Sequence, residues 1–323
     1  MWLAIIAILI GLAILVWSAD VFIDGATVLA KKFNVPSFLI GVLILGVGTS
    51  MPEMVVSVLA ALEGSPDLAL GNAYGSNIIN IALVLGATVI ISPIIIRKGI
   101  IKRDLPLLIL VTALAAWQLR DGVLSLADGI SLLIILVIVL GIQIVLSLRE
   151  GNHEHENDSI EDIDNTETSL GRGLGSLFIG LLVLVLSSRA IVWGAIELAT
   201  LWGVSELIIG LTIVAVGTSL PELVSSLSAA RKGEHDMALG NIIGSNIFNT
   251  LGVVGLAAII TPITANPVIL SRDVLVMGVI TLLLFIMCLF AYLNKRNFGR
   301  ASGATLVFLF VGYTLWLIQT ASI

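Results

Sequence analysis

The sequence predicts an all-α polytopic membrane protein in which ten transmembrane helices form two inverted-topology five-helix repeats. Three observations lead to this prediction: a very apolar composition, ten apolar segments, and an internal duplication. Hydrophobic residues fill 58% of the 323 positions, charged residues fill only 12%, and the mean hydropathy is +1.12. A soluble domain needs more polar surface than this to cover its core. We therefore expect an integral protein of the cell (plasma) membrane.

Charged and turn residues separate the apolar segments, whose lengths suit a helix crossing about 30 Å of hydrocarbon. The predicted spans are 2–30, 36–62, 68–92, 104–119, 123–148, 173–200, 205–230, 237–260, 270–294 and 301–320. The first is predicted to be a helix rather than a cleaved signal, because it lacks a basic leader and a small-residue cleavage site. Cys288 is the single cysteine, so neither a disulfide framework nor a cysteine zinc site is expected.

Lysine and arginine are concentrated in alternate loops, and this bias predicts the orientation. Starting after the first helix, these loops contain Lys31, Lys32, Arg97, Lys98, Lys102, Arg103, Arg149, Arg172, Arg231, Lys232, Lys295, Arg296 and Arg300. The other loops contain only Arg120 and Arg272. Because positively charged loops stay in the cytoplasm, both termini are predicted to lie outside and the central loop inside.

Two segments of the chain align without a gap and are about half identical. The first reads FLIGVLILGVGTSMPEMVVSVLAALEGSPDLALGNAYGSNIINI, and the second reads LIIGLTIVAVGTSLPELVSSLSAARKGEHDMALGNIIGSNIFNT, at an offset of 169 residues. The predicted organisation is a first repeat at 1–148 with its motif at 41–81, an acidic cytoplasmic linker at 149–172, and a second repeat at 173–323 with its motif at 210–250. Five spans per half make the two copies enter the membrane from opposite sides, which is the design of secondary transporters.

A proline interrupts the second and the seventh span. Pro52 has no amide proton, and its ring clashes with the carbonyl group four residues earlier, at Gly48. We expect the carbonyl groups of residues 46–49 to lack helical partners, and Pro221 to free those of residues 215–218 in the same way. Unsatisfied backbone at membrane depth persists only where it lines a cavity or binds something.

Oxygen-bearing side chains recur beside these interruptions. Residues four apart share a helical face, and the pairs at this spacing are Thr49 with Glu53, Ser76 with Asn80, Thr218 with Glu222, and Ser245 with Asn249. Carboxylates, hydroxyls, amides and carbonyls are the ligands that calcium prefers, whereas the motifs contain no sulfur or histidine for zinc or copper. The two carboxylates supply two negative charges, which one Ca²⁺ or two to three Na⁺ neutralise. An ionised carboxylate is costly to leave unpaired in a membrane, so we expect a site that is filled before it rearranges, as antiport requires.

The remaining motif residues have simpler explanations. Small residues four apart often pack helices closely, which is the favoured role for Gly71, Gly75, Gly240 and Gly244. Capping or hydrogen bonding explains the following residues at least as well as ligation does: Asn72, Asn77, Asn241 and Asn246. Packing does not explain Glu53 and Glu222, because buried carboxylates need a cation and no basic residue lies in these four spans away from their ends.

The paired motifs GTSxPE and GNxxGSNxxN resemble the alpha repeats of the calcium/cation antiporter superfamily, in particular its sodium/calcium exchanger branch of prokaryotic type. The resemblance spans nearly the whole chain and implies Na⁺/Ca²⁺ exchange, with the first and sixth helices sliding across four central helices. It implies that Ca²⁺ is held by Glu53, Glu222 and the carbonyl groups of Thr49 and Thr218. It implies that the Na⁺ sites draw on Glu53, Glu222, Gly46, Ser50, Ser76, Asn80, Ala215, Ser219, Ser245 and Asn249.

Two alternatives stay open. Asn249 lies where potassium-dependent relatives carry aspartate, and an amide there weakens the case for potassium cotransport. Proton coupling, or transport of another divalent cation, is the alternative within the superfamily. An intramembrane enzyme that uses Glu53 and Glu222 as an acid/base pair is disfavoured, since no Ser/His pair or metal-binding histidine accompanies them. We expect the lipid bilayer and the transported Na⁺ and Ca²⁺ as partners, and no cofactor, nucleic acid or obligatory protein partner.

Two further features concern charge outside the motifs. Asp20 and Arg189 occupy repeat-matched positions in the first and sixth helices and are a candidate gating pair. The favoured alternative is that each side chain extends separately towards an interface. The linker contains eight acidic residues with His153 and His155, and its composition favours a solvated segment over a small calcium or pH sensor.

Overall fold

The computed structural model of the chain describes residues 1–154, 169–203 and 213–321, which are mainly helical. The helices are α1 Trp2–Phe33, α2 Ser37–Thr49, α3 Met51–Leu62, α4 Asp67–Ile91, α5 Leu105–Gln118, α6 Leu126–Glu154, α7 Leu170–Leu201, α8 Ala215–Thr218, α9 Leu220–Arg231, α10 His235–Ile260, α11 Ile269–Leu293 and α12 Arg300–Ala321. Two short strands, β1 Val123–Leu124 and β2 Ile263–Thr264, pair in antiparallel fashion.

Helix length and hydropathy make the chain an integral membrane protein. In the described ranges, seven helices are long and apolar enough to cross a bilayer, namely α1, α4, α6, α7, α10, α11 and α12. The α2–α3 pair, which is bent by 43° at the break between Thr49 and Met51, makes an eighth crossing if the two helices form one span. Helices α5 and α9 are shorter than the roughly 20 residues that a crossing requires. The predicted spans at 104–119 and 205–230 therefore stay predictions.

The boundaries agree with the predicted ones in most places and differ at the end of the first half. Helix α6 continues past the predicted end at residue 148 as far as Glu154, and α7 begins at Leu170. Most of the predicted linker, including His155, lies outside the described residues.

Burial separates central helices from peripheral ones. The membrane-crossing windows of α4 and α10 are 72% and 83% buried, whereas those of α1 and α7 are 28% and 33% buried. Helices α4 and α10, which carry the second motif of each repeat, therefore form the core of the bundle. Helices α1 and α7 lie against each other at its periphery.

The peripheral pair is antiparallel and closely packed. A Cβ atom on Gly11 would meet Ile191 Cγ1 at 2.7 Å, and one on Gly25 would meet the backbone of Leu177. Gly180 is equally close to the backbone of Phe22. Residue numbers rise along α1 as they fall along α7, so repeat-matched residues away from the middle of the contact lie at different depths.

Tertiary contacts recur with the two halves exchanged. The Ser92 hydroxyl donates to the carbonyl oxygen of Ala230 at 3.1 Å, and its counterpart Thr261 donates to that of Ala61 at 3.2 Å. These four residues are related in pairs by the 169-residue offset.

Contacts of charged residues also recur in the two halves. Arg103 forms a salt bridge with Asp104 at 2.7 Å, and Arg272 forms the same bridge with Asp273 at 2.7 Å. Arg97 pairs with Asp236 at 2.8 Å, while their counterparts form a backbone-to-carboxylate hydrogen bond from Asn266 to Asp67 at 3.0 Å. The sequence duplication thus extends to the tertiary contacts.

Helix α2 packs directly on the backbone of α10 at glycine positions. A Cβ atom on Gly244 would lie 2.7 Å from Val42 Cα, and one on Gly41 would lie 2.5 Å from the carbonyl oxygen of Met237. Gly240 is pressed against the carbonyl oxygen of Phe38 in the same way. The packing role predicted for Gly240 and Gly244 is confirmed. For Gly71 and Gly75 it stays a prediction, because residues 204–212, which match the start of α2, lie outside the described part of the chain.

This packing makes Gly244→Ala destabilising. The added methyl group meets backbone, which cannot rotate away, so we expect a loss of about 1–3 kcal/mol in the free energy of unfolding, as for other overpacked sites. Thermal unfolding of the purified protein in detergent measures the change. Gly312→Ala in α12 is the matched control, since its methyl group would meet no atom within 4 Å among the described residues. Equal unfolding temperatures for the two variants would contradict the packing argument.

Candidate functional site

Two helix breaks at matched positions form the centre of the molecule. Ser50, between α2 and α3, has φ −82° and ψ 2°, and Ser219, between α8 and α9, has φ −88° and ψ 5°. Pro52 and Pro221 follow in the first turn of α3 and α9, where proline is tolerated because that turn lacks helical partners for its amides. Each break leads directly into the turn that carries a glutamate.

Several carbonyl groups before the breaks have hydrogen-bond donors, although the sequence predicts that they lack helical partners. The Gly46 oxygen keeps a helical bond from the Ser50 amide at 3.3 Å, so its predicted loss of a helical partner is wrong. The chain turns sharply only after Ser50, which leaves that bond intact. The Gly217 oxygen accepts from the Ser188 hydroxyl at 2.9 Å, and the Ala215 oxygen accepts from the Thr218 hydroxyl at 3.1 Å.

Glu53 and Glu222 are fully buried, and their carboxyl groups lie near enough to interact electrostatically. Glu222 Oε1 accepts a hydrogen bond from Ser50 Oγ at 3.3 Å. The other three carboxylate oxygens accept no hydrogen bond from any part of the chain that the structure describes. Neither glutamate forms a salt bridge with the described lysines and arginines. Two adjacent carboxylates without a partner in a membrane interior are neutral only when a cation binds or when they are protonated.

Uncharged oxygens from both halves converge beside the carboxylates. Thr49 Oγ1 lies 3.5 Å from Ser245 Oγ, and Ser245 Oγ donates to the Gly46 carbonyl oxygen at 3.2 Å. The Thr218 side chain lies beside the Glu53 carboxyl group. The structure therefore brings together the predicted ligands of the first break with Ser245 and Glu222 of the second repeat.

Asn80 and Asn249 are fully buried, and neither amide has a hydrogen-bond partner in the described ranges. The same holds for the Ser219 hydroxyl, whereas Ser76 is buried on the face of α4 that also carries Asn80. A π-helical turn begins at each asparagine, at 80–85 in α4 and 249–253 in α10. Such turns are frequent at functional sites, and the sequence did not predict them.

The donor set suits a hard cation. Among the residues that the structure describes, no cluster of three or more histidine, cysteine, aspartate or glutamate side chains is placed to hold a metal. The site instead combines two carboxylates with hydroxyl, amide and carbonyl oxygens. Oxygen-only sets of this kind suit Ca²⁺ and Na⁺ better than zinc or copper.

The two half-sites differ in exposure. Thr49, Gly240 and Asn241 are buried, while their counterparts Thr218, Gly71 and Asn72 are partly or fully exposed. The exposed members lie at the start of α4 and the end of α8. The motif residues on the α2–α10 side are therefore more completely buried than their counterparts on the α4–α8 side, while Glu53 and Glu222 themselves are fully buried.

The family comparison decides the class of protein. The model of the family described as sodium/calcium exchanger protein matches residues 3–145 and 172–319. The chain belongs to the sodium/calcium exchanger family. It is accordingly a membrane transporter and a cation antiporter.

Individual relatives match over most of the chain. Inner membrane protein YrbG of Escherichia coli K12 is 39% identical over 98% of this chain and 96% of its own length. The sodium/calcium exchanger MaX1 of Methanosarcina acetivorans is 31% identical over 86% of this chain and 89% of its own length. The solved structure of the sodium-calcium exchanger NCX_Mj, soaked with 10 mM Na⁺ and 10 mM Sr²⁺, superposes with a TM-score of 0.80 at 34% identity, covering 96% of both chains.

The predicted gating pair of this exchanger is not formed. Asp20 accepts a hydrogen bond from the Ser228 hydroxyl of α9, and no salt bridge joins it to Arg189 in the described structure. The reason is the antiparallel packing of α1 and α7. Since Phe22 faces Gly180 and Gly11 faces Ile191, Asp20 lies about seven residues, or roughly 10 Å along the axis, from the level of Arg189. Both residues are exposed.

A double-mutant cycle tests this correction. We expect Asp20→Asn and Arg189→Gln to be additive within about 0.5 kcal/mol in the free energy of unfolding, because the side chains do not touch. Asp20→Asn and Ser228→Ala share a hydrogen bond and should be non-additive by more than that amount. Unfolding in mixed micelles provides all the values. Strong coupling between Asp20 and Arg189 would restore the pair.

Proposed function

We propose that the chain is a secondary active antiporter that exchanges Na⁺ for Ca²⁺ by alternating access. The observation that supports this most directly is the pair of buried carboxylates, Glu53 and Glu222. Three of their four oxygens accept no hydrogen bond from the described residues and can bind a cation. The relatives that match in sequence and structure include proteins named sodium/calcium exchangers.

The ligand set follows from the residues that converge on the breaks. Ca²⁺ would be held by Glu53, Glu222 and the carbonyl groups of Thr49 and Thr218. Na⁺ would be held by the same carboxylates together with Gly46, Ser50, Ser76, Asn80, Ala215, Ser219, Ser245 and Asn249. The orphan amides of Asn80 and Asn249 and the orphan hydroxyl of Ser219 support this set, because a buried polar group without a partner is costly unless a ligand completes it. The same two negative charges serve either one Ca²⁺ or two to three Na⁺.

The architecture of the proposal is ten transmembrane helices in two inverted repeats, with the ions near the midplane between them. The antiparallel contact of α1 with α7 supports the inversion, since the two helices start corresponding halves. The contacts that recur with the halves exchanged support it independently. Positive-inside bias supports termini outside and a cytoplasmic central loop.

Close packing on one side of the site supports alternating access. The closely packed α2–α10 side belongs to the predicted cytoplasmic face, where Lys232 also pairs with Asp24 at 2.6 Å and ties α9 to α1. Loosening of this packing, with the matching packing formed in the other repeat, would open the site to the cytoplasm.

Coupling to protons, or transport of another divalent cation, is the remaining alternative. A carboxamide at Asn249 limits the motif carboxylates to Glu53 and Glu222, and a carboxamide does not take up or release a proton near neutral pH. Both observations favour sodium as the coupling ion and exchange that does not require potassium.

Calcium uptake into sodium-loaded proteoliposomes tests the proposal. We expect uptake of labelled Ca²⁺ after dilution into sodium-free buffer, and no uptake into potassium-loaded vesicles, because only the sodium gradient drives exchange. A pH gradient imposed without sodium is the second control. Uptake driven by that gradient alone would assign proton coupling, and no uptake under any gradient would refute the cation assignment.

Charge removal tests the two carboxylates separately. Glu53→Gln and Glu222→Gln each keep the shape of the side chain but remove a charge that the dehydrated cation needs. We expect sodium-driven calcium uptake to fall at least about 100-fold, since a pair of charge-assisted contacts of roughly 1.5–3 kcal/mol each is weakened. Glu63→Gln, which changes an exposed carboxylate in the loop after α3, is the matched control. Wild-type uptake by either glutamine variant would exclude that glutamate from the site.

A further inference from the structure

We propose that Asn72 and Asn241 are positioning residues, which hold the two glutamate-bearing turns against α4 and α10 and thereby set the geometry of the cation site. The inference rests on the proposed function and deepens it. Neither asparagine belongs to the ligand set above. Each uses its amide nitrogen on the backbone and hydroxyl groups of the turn that follows a helix break.

In the first half, Asn72 of α4 clamps the first turn of α3. Its Nδ2 donates to the carbonyl oxygen of Glu53 at 2.9 Å and to Ser57 Oγ at 2.9 Å. The Ser57 hydroxyl donates back to the carbonyl oxygen of Ala69 at 3.3 Å. The ring of bonds joins the two helices at the residue that carries the carboxylate, so the Glu53 backbone cannot shift along α4 without breaking it.

In the second half, Asn241 of α10 does the same to the first turn of α9. Its Nδ2 lies 2.8 Å from Ser226 Oγ, 3.1 Å from Ser225 Oγ and 3.4 Å from the carbonyl oxygen of Glu222. Ser225 in turn donates to the carbonyl oxygen of Pro221 at 2.6 Å and lies 3.2 Å from that of Glu222. Asn241 and the two serines are buried.

The position of these asparagines on their helices explains why the clamp affects the site. Asn72 is four residues from Ser76 and eight from Asn80, so the three share one face of α4. Asn241, Ser245 and Asn249 share the matching face of α10. Each asparagine binds the backbone of a glutamate from the start of this face. It therefore sets the distance from the glutamate carboxylate to the serine hydroxyl and the second asparagine amide on the same helix.

The two clamps are not equivalent. The Thr49 hydroxyl, which donates to the Leu45 carbonyl oxygen at 2.9 Å, also lies 3.2 Å from Asn241 Oδ1 and links this asparagine to the other half. Among the described residues, the Thr218 hydroxyl bonds to the carbonyl oxygen of Ala215 and forms no such link with Asn72. Loss of Asn241 should therefore affect the site more than loss of Asn72.

Calcium titration of the purified protein in sodium-free detergent tests the proposal, with thermal stabilisation as the measure of binding. For Asn72→Ala and Asn241→Ala we expect the Ca²⁺ concentration at half-stabilisation to rise about 10- to 100-fold, the usual effect of removing a group that orients a metal ligand. Asn77→Ala and Asn246→Ala are matched controls on the same helices. Asn77 donates to Thr250 Oγ1 at 2.7 Å and Asn246 to the Asn77 carbonyl oxygen at 3.5 Å, both away from the glutamate turns.

The controls separate positioning from general stability. They should lower the unfolding temperature without calcium and leave the calcium midpoint unchanged. Midpoints that shift equally in all four variants, or in none, would overturn the proposal. If the alanine variants fail to fold, Ser57→Ala and Ser226→Ala are the fallback, because each removes one hydrogen-bond acceptor of Asn72 or Asn241. An unchanged calcium midpoint in both serine variants would also overturn the proposal.

Aspartate substitution distinguishes a positioning residue from a ligand. Asn72→Asp keeps the shape but cannot donate to the Glu53 carbonyl oxygen, so positioning predicts weaker calcium binding. A ligand would gain charge and bind calcium more tightly, and that result would overturn the proposal. Wild-type protein with no calcium stabilisation would refute the proposed function and this inference together, whereas stabilisation that Glu53→Gln abolishes and Asn72→Ala leaves intact would refute this inference alone.

Discussion

The structure is organised around two carboxylates that pair with no lysine or arginine in the described part of the chain. Glu53 and Glu222 are fully buried in the centre of a membrane bundle, where an unpaired charge is costly. The rest of the fold either brings them together or surrounds them with uncharged oxygen. The helix breaks put each glutamate in the first turn of a new helix, and α4 and α10 supply hydroxyl and amide groups from the other side. A bundle that needs an ion in order to be neutral is suited to exchanging one ion for another.

Duplication gives this centre two half-sites that are alike in sequence and unlike in packing. Contacts such as Ser92 with Ala230 and Thr261 with Ala61 recur almost unchanged, so the scaffold keeps its symmetry. The hydrogen bonds at the site are not symmetric. Ser50 bonds to Glu222, whereas the matched Ser219 hydroxyl has no partner in the described structure. One scaffold that supports two unequal packings of the same motif is the physical basis on which alternating access can work.

Glycine makes the close packing on the α2–α10 side possible. Backbone-to-backbone approach of α2 to α10 at Gly41, Gly240 and Gly244 brings Thr49 within reach of Asn241 and Ser245, and seals one route to the carboxylates. Hydroxyl groups donate hydrogen bonds to backbone carbonyl oxygens near the breaks, as Ser188 does to Gly217. Small residues and short polar side chains therefore serve both the packing and the polarity of the centre, in a chain whose bulk is aliphatic.

The sequence by itself determined the membrane class, the order of the helices, the duplication, and the residues that meet at the breaks, because hydropathy, proline and a 169-residue repeat are local or periodic signals. Only the tertiary structure decided the rest. Asp20 and Arg189 match in the repeat yet lie at different depths, because α1 and α7 pack antiparallel. The Gly46 carbonyl keeps its helical bond because the chain turns at Ser50, whose amide still donates to it, and Pro52 removes only the amide that would bond Gly48. Asn72 and Asn241 are hydrogen-bonded to the turns that carry the glutamates, and the π-helical turns begin at Asn80 and Asn249. These features depend on the distances between helices distant in sequence, which neither composition nor spacing specifies.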